Sequence, residues 1–247
     1  MDREADVSGI LSQTVDVIGG AGRAVLIYVL VLGVLAGIGG LFGLVSAGES
    51  GLVSYINILD SETLSLAASL FELLNLVVVV VATYFLLRQM MMGLGRRPAS
   101  GSRFWSFLGM SILAGLGTML GFMLLIIPGF IVMVRWAAAN GFVLTGEHSV
   151  TGSLRASWEA TDGRGGSIFL AGVVVTIALG ILSAILIGIL MGVSGIQVAT
   201  GFSPGMGLVT TLSGFVNAFG NAVNFAFSMA VFHLLAPADT SVADVFE

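Results

Sequence analysis

Long apolar runs dominate this sequence and limit what it can fold into. The longest covers residues 104–145, where Arg135 is the only charged side chain. A helix needs about 20 apolar residues to cross the hydrocarbon core of a bilayer, so this run is long enough for two crossings. Other runs of sufficient length lie over 24–46, 66–87, 167–192 and 208–235. The pattern predicts an all-α, polytopic transmembrane bundle of six spans.

The composition agrees with burial in lipid. Charged residues make up 9% of the 247 positions, whereas a soluble domain carries about 25%. The 35 glycines fit close helix packing in a membrane. Cysteine is absent, which excludes disulfides and thiolate metal sites. A net charge of −5 without a clustered basic face argues against nucleic acid as a partner.

A Pro-Gly pair, Pro128-Gly129, divides the longest apolar run. Proline is well tolerated in the first turn of a helix. We therefore predict a tight hairpin, with the third span over 104–127 and the fourth over 128–145. The alternative is a single kinked or re-entrant element. The whole chain then divides into an N-terminal amphipathic segment (1–23), a six-span domain (24–236) and an acidic tail (237–247).

The arginines favour the hairpin and orient the chain. With six spans, eight of the nine cations fall on the side of the N-terminus, and such an excess marks the cytoplasmic side. These cations are Arg3, Arg23, Arg88, Arg96, Arg97, Arg103, Arg155 and Arg164. If Pro128 were only a kink, Arg155 and Arg164 would lie outside. We expect both termini to be cytoplasmic.

Two segments outside the spans have helical apolar spacing. In residues 7–22 the apolar positions are Val7, Ile10, Leu11, Val15 and Ile18. In the segment after the fourth span, Val150, Leu154 and Trp158 recur every four residues, with Thr151 as a plausible N-cap and Gly163 as a C-cap. Both segments are typical of amphipathic helices that lie at the membrane surface.

Small residues recur at a spacing of four in two spans, which predicts faces for close helix contact. Two glycine pairs, Gly33/Gly37 and Gly39/Gly43, form such a face in the first span. In the fifth span the stripe comprises Gly172, Thr176, Gly180, Ala184, Gly188 and Gly192. These faces could pack within the bundle or between copies of the chain.

One stretch of about 40 residues, from Ile127 to Gly163, resembles a known group. The residues that carry the resemblance are Ile127-Pro128-Gly129, Arg135-Trp136, Glu147, Leu154-Arg155-Ala156-Ser157-Trp158 and Thr161-Asp162-Gly163. They resemble the membrane domain associated with glycerophosphoryl diester phosphodiesterases and the related YciC-like family of bacterial inner-membrane proteins. That family often has a proline in the fourth span, where this chain has Asn140-Gly141. The resemblance implies a six-helix membrane protein without established activity, and it supplies no catalytic residues.

Charges inside the spans are the main candidates for a functional site. Glu72 and Arg135 each lie about eight residues, or ~12 Å, below the outer end of a span, so we expect them to pair. Asn75 lies one turn from Glu72. The sixth span carries a polar stripe on one helical face, formed by Ser213, Asn217, Asn221, Asn224 and Ser228. We predict a polar core from spans two, four and six.

This core has two interpretations. It could be a pathway or pocket for an ion, solute or lipid head group, or it could hold helices together through interhelical hydrogen bonds. We favour the second, because one charge pair can satisfy itself. Glu147, His148, His233 and Asp239 could lie near the inner face, but their spacing matches no metal motif. We expect no metal and no cofactor.

The sequence therefore predicts a non-enzymatic, multi-pass protein of a bacterial inner membrane, with a role in envelope structure or as a partner subunit. Its expected partners are the lipid bilayer and either another membrane protein or a second copy of the chain. One alternative is a small transporter or channel that uses the polar core. Another is a membrane anchor for a separately encoded phosphodiesterase or lipid enzyme.

Overall fold

The computed structural model describes residues 5–42, 44, 66–194 and 204–236. The predictions for the connection after the first span, for Gly39/Gly43, for Asp239 and for the acidic tail fall wholly or partly outside these residues. The described regular structure is helical. Its helices are α1 (Val7–Gly20), α2 (Gly22–Leu41), α3 (Leu66–Gly93), α4 (Phe104–Leu124), α5 (Ile126–Arg135), α6 (Ala139–Thr145), α7 (Val150–Ala160), α8 (Gly165–Ser194) and α9 (Pro204–Leu235).

Six helical segments are long and apolar enough to cross a membrane, which makes this a multi-pass integral membrane protein. Five of them are single helices. The fourth segment in chain order, Ile126–Thr145, comprises two helices, α5 and α6. The large apolar side chains that remain exposed on these helices are the surface that lipid covers.

The third and fourth spans form a hairpin, and its turn comes earlier than the sequence predicts. α4 ends at Leu124 rather than at residue 127, and Leu125 is extended, with φ −164° and ψ 151°. α5 then begins at Ile126, so that Pro128 lies in its first turn. Proline fits there because the first N–H groups of a helix have no intrahelical partner.

Close contacts show that the two arms of the hairpin run antiparallel along their length. A Cβ on Gly121 would lie 2.9 Å from the Cα of Gly129, and a Cβ on Gly117 would overlap the Trp136 ring. At the base, the Ala99 N–H donates to the Leu144 carbonyl over 3.0 Å. Glycines at the crossing let the two backbones approach as closely as small residues allow in membrane helices.

The chain divides into two compact units. The first contains the residues up to Ala24, Tyr84–Thr176 and those from Val223 onwards; the second contains Val25–Thr83 and Ile177–Ala222. The first unit includes α1, the whole α4–α5–α6 hairpin and α7. The predicted small-residue faces of the first and fifth spans belong largely to the second unit.

In the second unit, α2 packs on α9 through the predicted glycine face. A Cβ on Gly33 would overlap the Phe215 ring, and a Cβ on Gly37 would lie 2.9 Å from the Thr211 hydroxyl oxygen. The predicted face of the fifth span behaves differently, because a Cβ on Gly180 or Gly188 would meet nothing within 4 Å. Spacing alone predicted both faces, and only the first makes a close helix contact in the described structure.

Both amphipathic segments are helical, and each buries some of its predicted apolar positions together with small polar residues. In α1 the most exposed predicted apolar position is Val15, at 67%, while Ile10, Thr14 and Val17 are buried. Asp6 caps this helix by accepting from the Gly9 N–H over 2.7 Å. α7 starts at a Ser149 cap rather than at Thr151, and it buries Ser153, Leu154 and Ser157. Gly163 has the positive φ of a helix end, 71°.

Candidate functional site

The fourth span is broken between α5 and α6, at Trp136–Ala138, although no proline lies there. Hydrogen bonds shorten to the i−3 type: the Ala137 N–H donates to Val134, the Ala139 N–H to Trp136 and the Gly141 N–H to Ala138. In a regular α-helix each of these donors would bind one residue earlier. The slip leaves the carbonyls of Arg135 and Ala137 and the Ala138 N–H without their usual partners.

Side chains from two other helices meet these three groups. The Ser157 hydroxyl of α7 donates to the Arg135 carbonyl over 2.8 Å and accepts from the Ala138 N–H over 3.2 Å. The Ser228 hydroxyl of α9 donates to the Ala137 carbonyl over 2.6 Å. Ser157 is fully buried and Ser228 nearly so. A hydroxyl inserted into the helical ladder is a recognised cause of such a break.

Two further polar groups surround the break. The Thr161 hydroxyl lies 3.3 Å from the Arg135 carbonyl, and the Asn140 amide donates to Ser228 over 3.0 Å. We call the set of Ser157, Thr161, Ser228 and Asn140 the break lock. All four belong to the first unit. Their role follows from the cost of leaving buried backbone groups without hydrogen bonds, about 1–3 kcal/mol each.

The ion pair of Arg135 is made with Asp162, whereas the sequence led us to expect Glu72. The guanidinium is 2.8 Å from the Asp162 carboxylate, and it also lies over the Trp158 ring, 5.4 Å from its centroid. Equal depth in two spans did not identify the neighbour, because α7 runs back along the fourth span and carries its own C-terminal residues to Arg135. The Asp162 side chain is 78% exposed.

The exposed face of α7, opposite the side that packs on the fourth span, is charged. Arg155 and Glu159 pair across one turn at 2.7 Å, and both side chains are mostly exposed. This hydrogen bond raises the pKa of the Arg155 guanidinium above its usual value. Together with the exposed Asp162, this face indicates contact with water or lipid head groups rather than with hydrocarbon.

The two predicted site residues of the second span lie on α3. Glu72 is buried, with 7% of its surface exposed, and Asn75, one turn further on, is half-buried. Both belong to the second unit, whereas Arg135 belongs to the first. The contacts of Arg135 described above are all made within the first unit.

The predicted asparagines of the sixth span are not in a core. Asn217, Asn221 and Asn224 are exposed on α9, and only Ser228 of the predicted stripe is buried. The prediction that these amides face inward is therefore wrong. The reason is that α9 packs on α2 through Gly214 and Phe215, which lie on another side of the helix. Gly214 and Phe215 lie about 60° and 160° around the helix from Asn217, so the exposed asparagines lie beside that contact rather than in it.

The sequence analysis missed the residues of α7 that close the break. Ser157 and Thr161 bind the break and, together with Ser153, recur every four residues and are fully buried, whereas the sequence analysis singled out only the apolar positions of this segment as a helical face. Their spacing was a usable signal. The residues that carry the family resemblance also meet here, since Arg135, Ser157, Trp158, Thr161 and Asp162 contact one another.

This arrangement suits structure better than transport. In transporters with broken helices, the unwound carbonyls coordinate an ion, whereas here the freed carbonyls already accept from serine hydroxyls. Within the described ranges no cluster of three or more metal-ligating side chains occurs. The His148 ring packs edge-on against Phe142, at 5.6 Å between centroids.

Comparisons with protein-family models, curated proteins and solved structures gave no match for this chain.

Proposed function

We propose that this chain is a non-enzymatic membrane protein that associates with a second copy of itself through the sixth span. The observation that carries the proposal is the exposure of Asn217 and Asn221, one turn apart on an apolar membrane helix. Gly220 lies between them in open space, with nothing within 4 Å of a Cβ placed there. We call Asn217, Gly220 and Asn221 the amide face.

An amide that faces lipid lacks the hydrogen bonds it would make in water. A neighbouring membrane helix that offers donors and acceptors regains them, at about 0.6 kcal/mol per interhelical bond on average. An asparagine both donates and accepts, so the amide face is complementary to its own copy across a two-fold axis. Buried asparagines set the partner and register of paired helices in the same way. The open Gly220 allows the two backbones to approach.

The expected setting is a bacterial inner membrane with both termini in the cytoplasm. The arginine distribution supports this orientation, and the resemblance of residues 127–163 to the phosphodiesterase-associated membrane family supports the setting. A structural role in the envelope fits a chain whose break lock satisfies its own polar groups. An anchor for a separately encoded enzyme is compatible with the same self-association.

Single cysteines test the amide face directly, because the chain has none of its own. Asn221→Cys should form a disulfide-linked dimer in native membranes under mild oxidation. Phe219→Cys is the matched control: it is exposed on the same helix, two residues away and about 160° around the axis. Equal cross-linking at both positions, or none at Asn221→Cys, would contradict the proposal.

A second measurement does not depend on cysteine. The double variant Asn217→Leu/Asn221→Leu should weaken dimerisation in lipid about eightfold, which corresponds to two interhelical bonds of about 0.6 kcal/mol each. Förster transfer between labelled copies in vesicles measures the effect. Unchanged transfer would mean that the amides serve another purpose, and solute uptake by the same vesicles would then test the transporter alternative.

A further inference from the structure

We infer that the hairpin formed by α4 and α5 is re-entrant: it enters the bilayer from the arginine-rich side, and its apolar tip ends inside the hydrocarbon core. Two of the six apolar segments would then not cross, although their length allows it. The inference concerns only the first unit and does not depend on the proposed self-association. The interaction surface is the hairpin tip, and its partner is the acyl-chain region of one leaflet.

The first argument is the chemistry of the turn. Five consecutive residues, Met123–Ile127, are large and apolar, and each is between 68% and 76% exposed. A hairpin that crossed the whole bilayer would place this turn among head groups and water, where turns are built from polar residues, glycine and proline. Five exposed apolar side chains at a turn are instead suited to hydrocarbon.

The second argument is the backbone at the turn. Hydrocarbon offers no hydrogen bonds, so a turn inside it must leave few backbone groups unpaired. The Leu125 N–H donates to the Gly121 carbonyl over 3.1 Å, and the Leu125 carbonyl accepts from the Gly129 N–H over 3.3 Å. Pro128 has no N–H and removes one donor from the first turn of α5. These two bonds pair both backbone groups of Leu125, the extended residue between α4 and α5.

The third argument is depth. The turn lies ten residues from Arg135, or ~15 Å along the helix, and the hydrocarbon core is about 30 Å thick. Arg135 is held by the exposed Asp162 and by Trp158, a combination typical of the membrane interface. Apart from Trp105 near the base, the exposed large apolar side chains of the hairpin lie between Ile112 and Met133, on the tip side of the break.

The packing of the neighbouring helix, α8, gives a second estimate of the depth of the turn. The Phe130 and Phe169 rings meet edge-on at 5.6 Å, and a Cβ on Gly165 would lie 3.7 Å from Val134. α5 therefore runs antiparallel to the start of α8, and the turn is level with about the ninth residue of that helix. α8 continues to a total of 30 residues, long enough to cross from the level of Arg135 by itself.

Both ends of a re-entrant hairpin lie on one side, so the arginines remain on that side whether the hairpin crosses or not. Arginine counting therefore cannot distinguish the two arrangements, and labelling can. In the cysteine-free chain, Leu125→Cys should resist a membrane-impermeant maleimide in intact cells and in inverted vesicles, and should react in detergent. Ser100→Cys marks the arginine-rich side, and Ser54→Cys, in the connection without arginine, marks the other.

Reaction of Leu125→Cys from the side marked by Ser54 would overturn the inference, because the hairpin would then cross. Reaction from the side marked by Ser100 would overturn it as well, because the tip would then lie outside the bilayer. Ile127→Cys provides a second tip position if the first variant does not fold. A spin label at either site should collide more often with oxygen than with a water-soluble nickel chelate, and the reverse ratio would contradict a position in hydrocarbon.

Discussion

The break lock and the amide face each contain two polar side chains four residues apart. One pair is buried in the protein, and the other is exposed. Ser157 on α7 and Thr161, which caps the C-terminus of that helix, lie four residues apart, are fully buried, and bind groups of the fourth span. Asn217 and Asn221 lie four residues apart on α9 and are exposed. A spacing of four shows that polar side chains share a helical face. It does not show whether that face is directed towards the protein or away from it.

The largest expected difference between the two regions comes from their glycines. A Cβ on Gly141, next to the break lock, would overlap the Phe232 ring, whereas one on Gly220 of the amide face would meet nothing. Gly141→Ala should lower the free energy of unfolding by about 1–3 kcal/mol through overpacking. Gly220→Ala should raise it by up to about 1 kcal/mol through helix propensity. Denaturation in micelles, followed by tryptophan fluorescence, measures the free energy of unfolding of both variants. Equal changes would contradict the expected difference between the two glycines.

The next effect isolates the bridging hydroxyl. Ser157→Ala leaves the Arg135 carbonyl and the Ala138 N–H poorly satisfied, so it should cost about 1–3 kcal/mol of unfolding free energy. Ser153 is the matched control, since it is equally buried but donates only to the Ser149 carbonyl at the start of its own helix. Ser153→Ala should cost clearly less. If both variants unfold alike, Ser157 does not hold the break.

A smaller effect is expected for the ion pair at the break. Asp162→Asn should cost about 0.5 kcal/mol, because the exposed carboxylate is screened by solvent, and the loss should shrink at high salt. A double-mutant cycle with Arg135→Gln measures the coupling between the two side chains. Glu159→Gln is the control, with no measurable change in the unfolding midpoint. A coupling of zero would mean that Trp158 alone positions Arg135.

The smallest effect should be that of the amide face on the isolated chain. Asn217→Leu removes an exposed amide, and surface changes of this kind usually stay within about 0.5 kcal/mol. Unfolding of the monomer in dilute micelles should therefore match that of the parent chain. A strong destabilisation would show that Asn217 makes hydrogen bonds within its own chain and, like Ser157, stabilises the fold of the monomer.

Much of the fold could be predicted because the bilayer imposes it. Length and apolarity located the six helical segments, and Pro128-Gly129 marked the hairpin to within a few residues. The ends of the long helices were less predictable: α3 continues to Gly93 and α8 begins at Gly165, since the bilayer restricts only the residues inside it. The break at Trp136–Ala138 could not be predicted, because the serines that hold it, Ser157 and Ser228, lie about 20 and about 90 residues later in the chain.

The candidate site was predicted only in part, for a related reason. Arg135 has the partner that a charge inside a span requires, but Asp162 was not predicted to be that partner. Depth along a span is readable from residue number, but the neighbour at that depth depends on how helices are arranged around it. The prediction that the asparagines of α9 face inward was wrong for the same reason, because the packing of Gly214 and Phe215 against α2 fixes the rotation of α9 about its axis.

The break lock also sets an order for biosynthesis. The carbonyls of Arg135 and Ala137 leave the ribosome long before their donors, because Ser157 follows about 20 residues later and Ser228 about 90. A chain is made from its N-terminus at roughly 5–20 residues per second, so the fourth span waits several seconds for its last hydrogen bond. Until α9 arrives, the nascent protein carries an unfinished helix. Completion of the sixth span is therefore the step that closes the fourth.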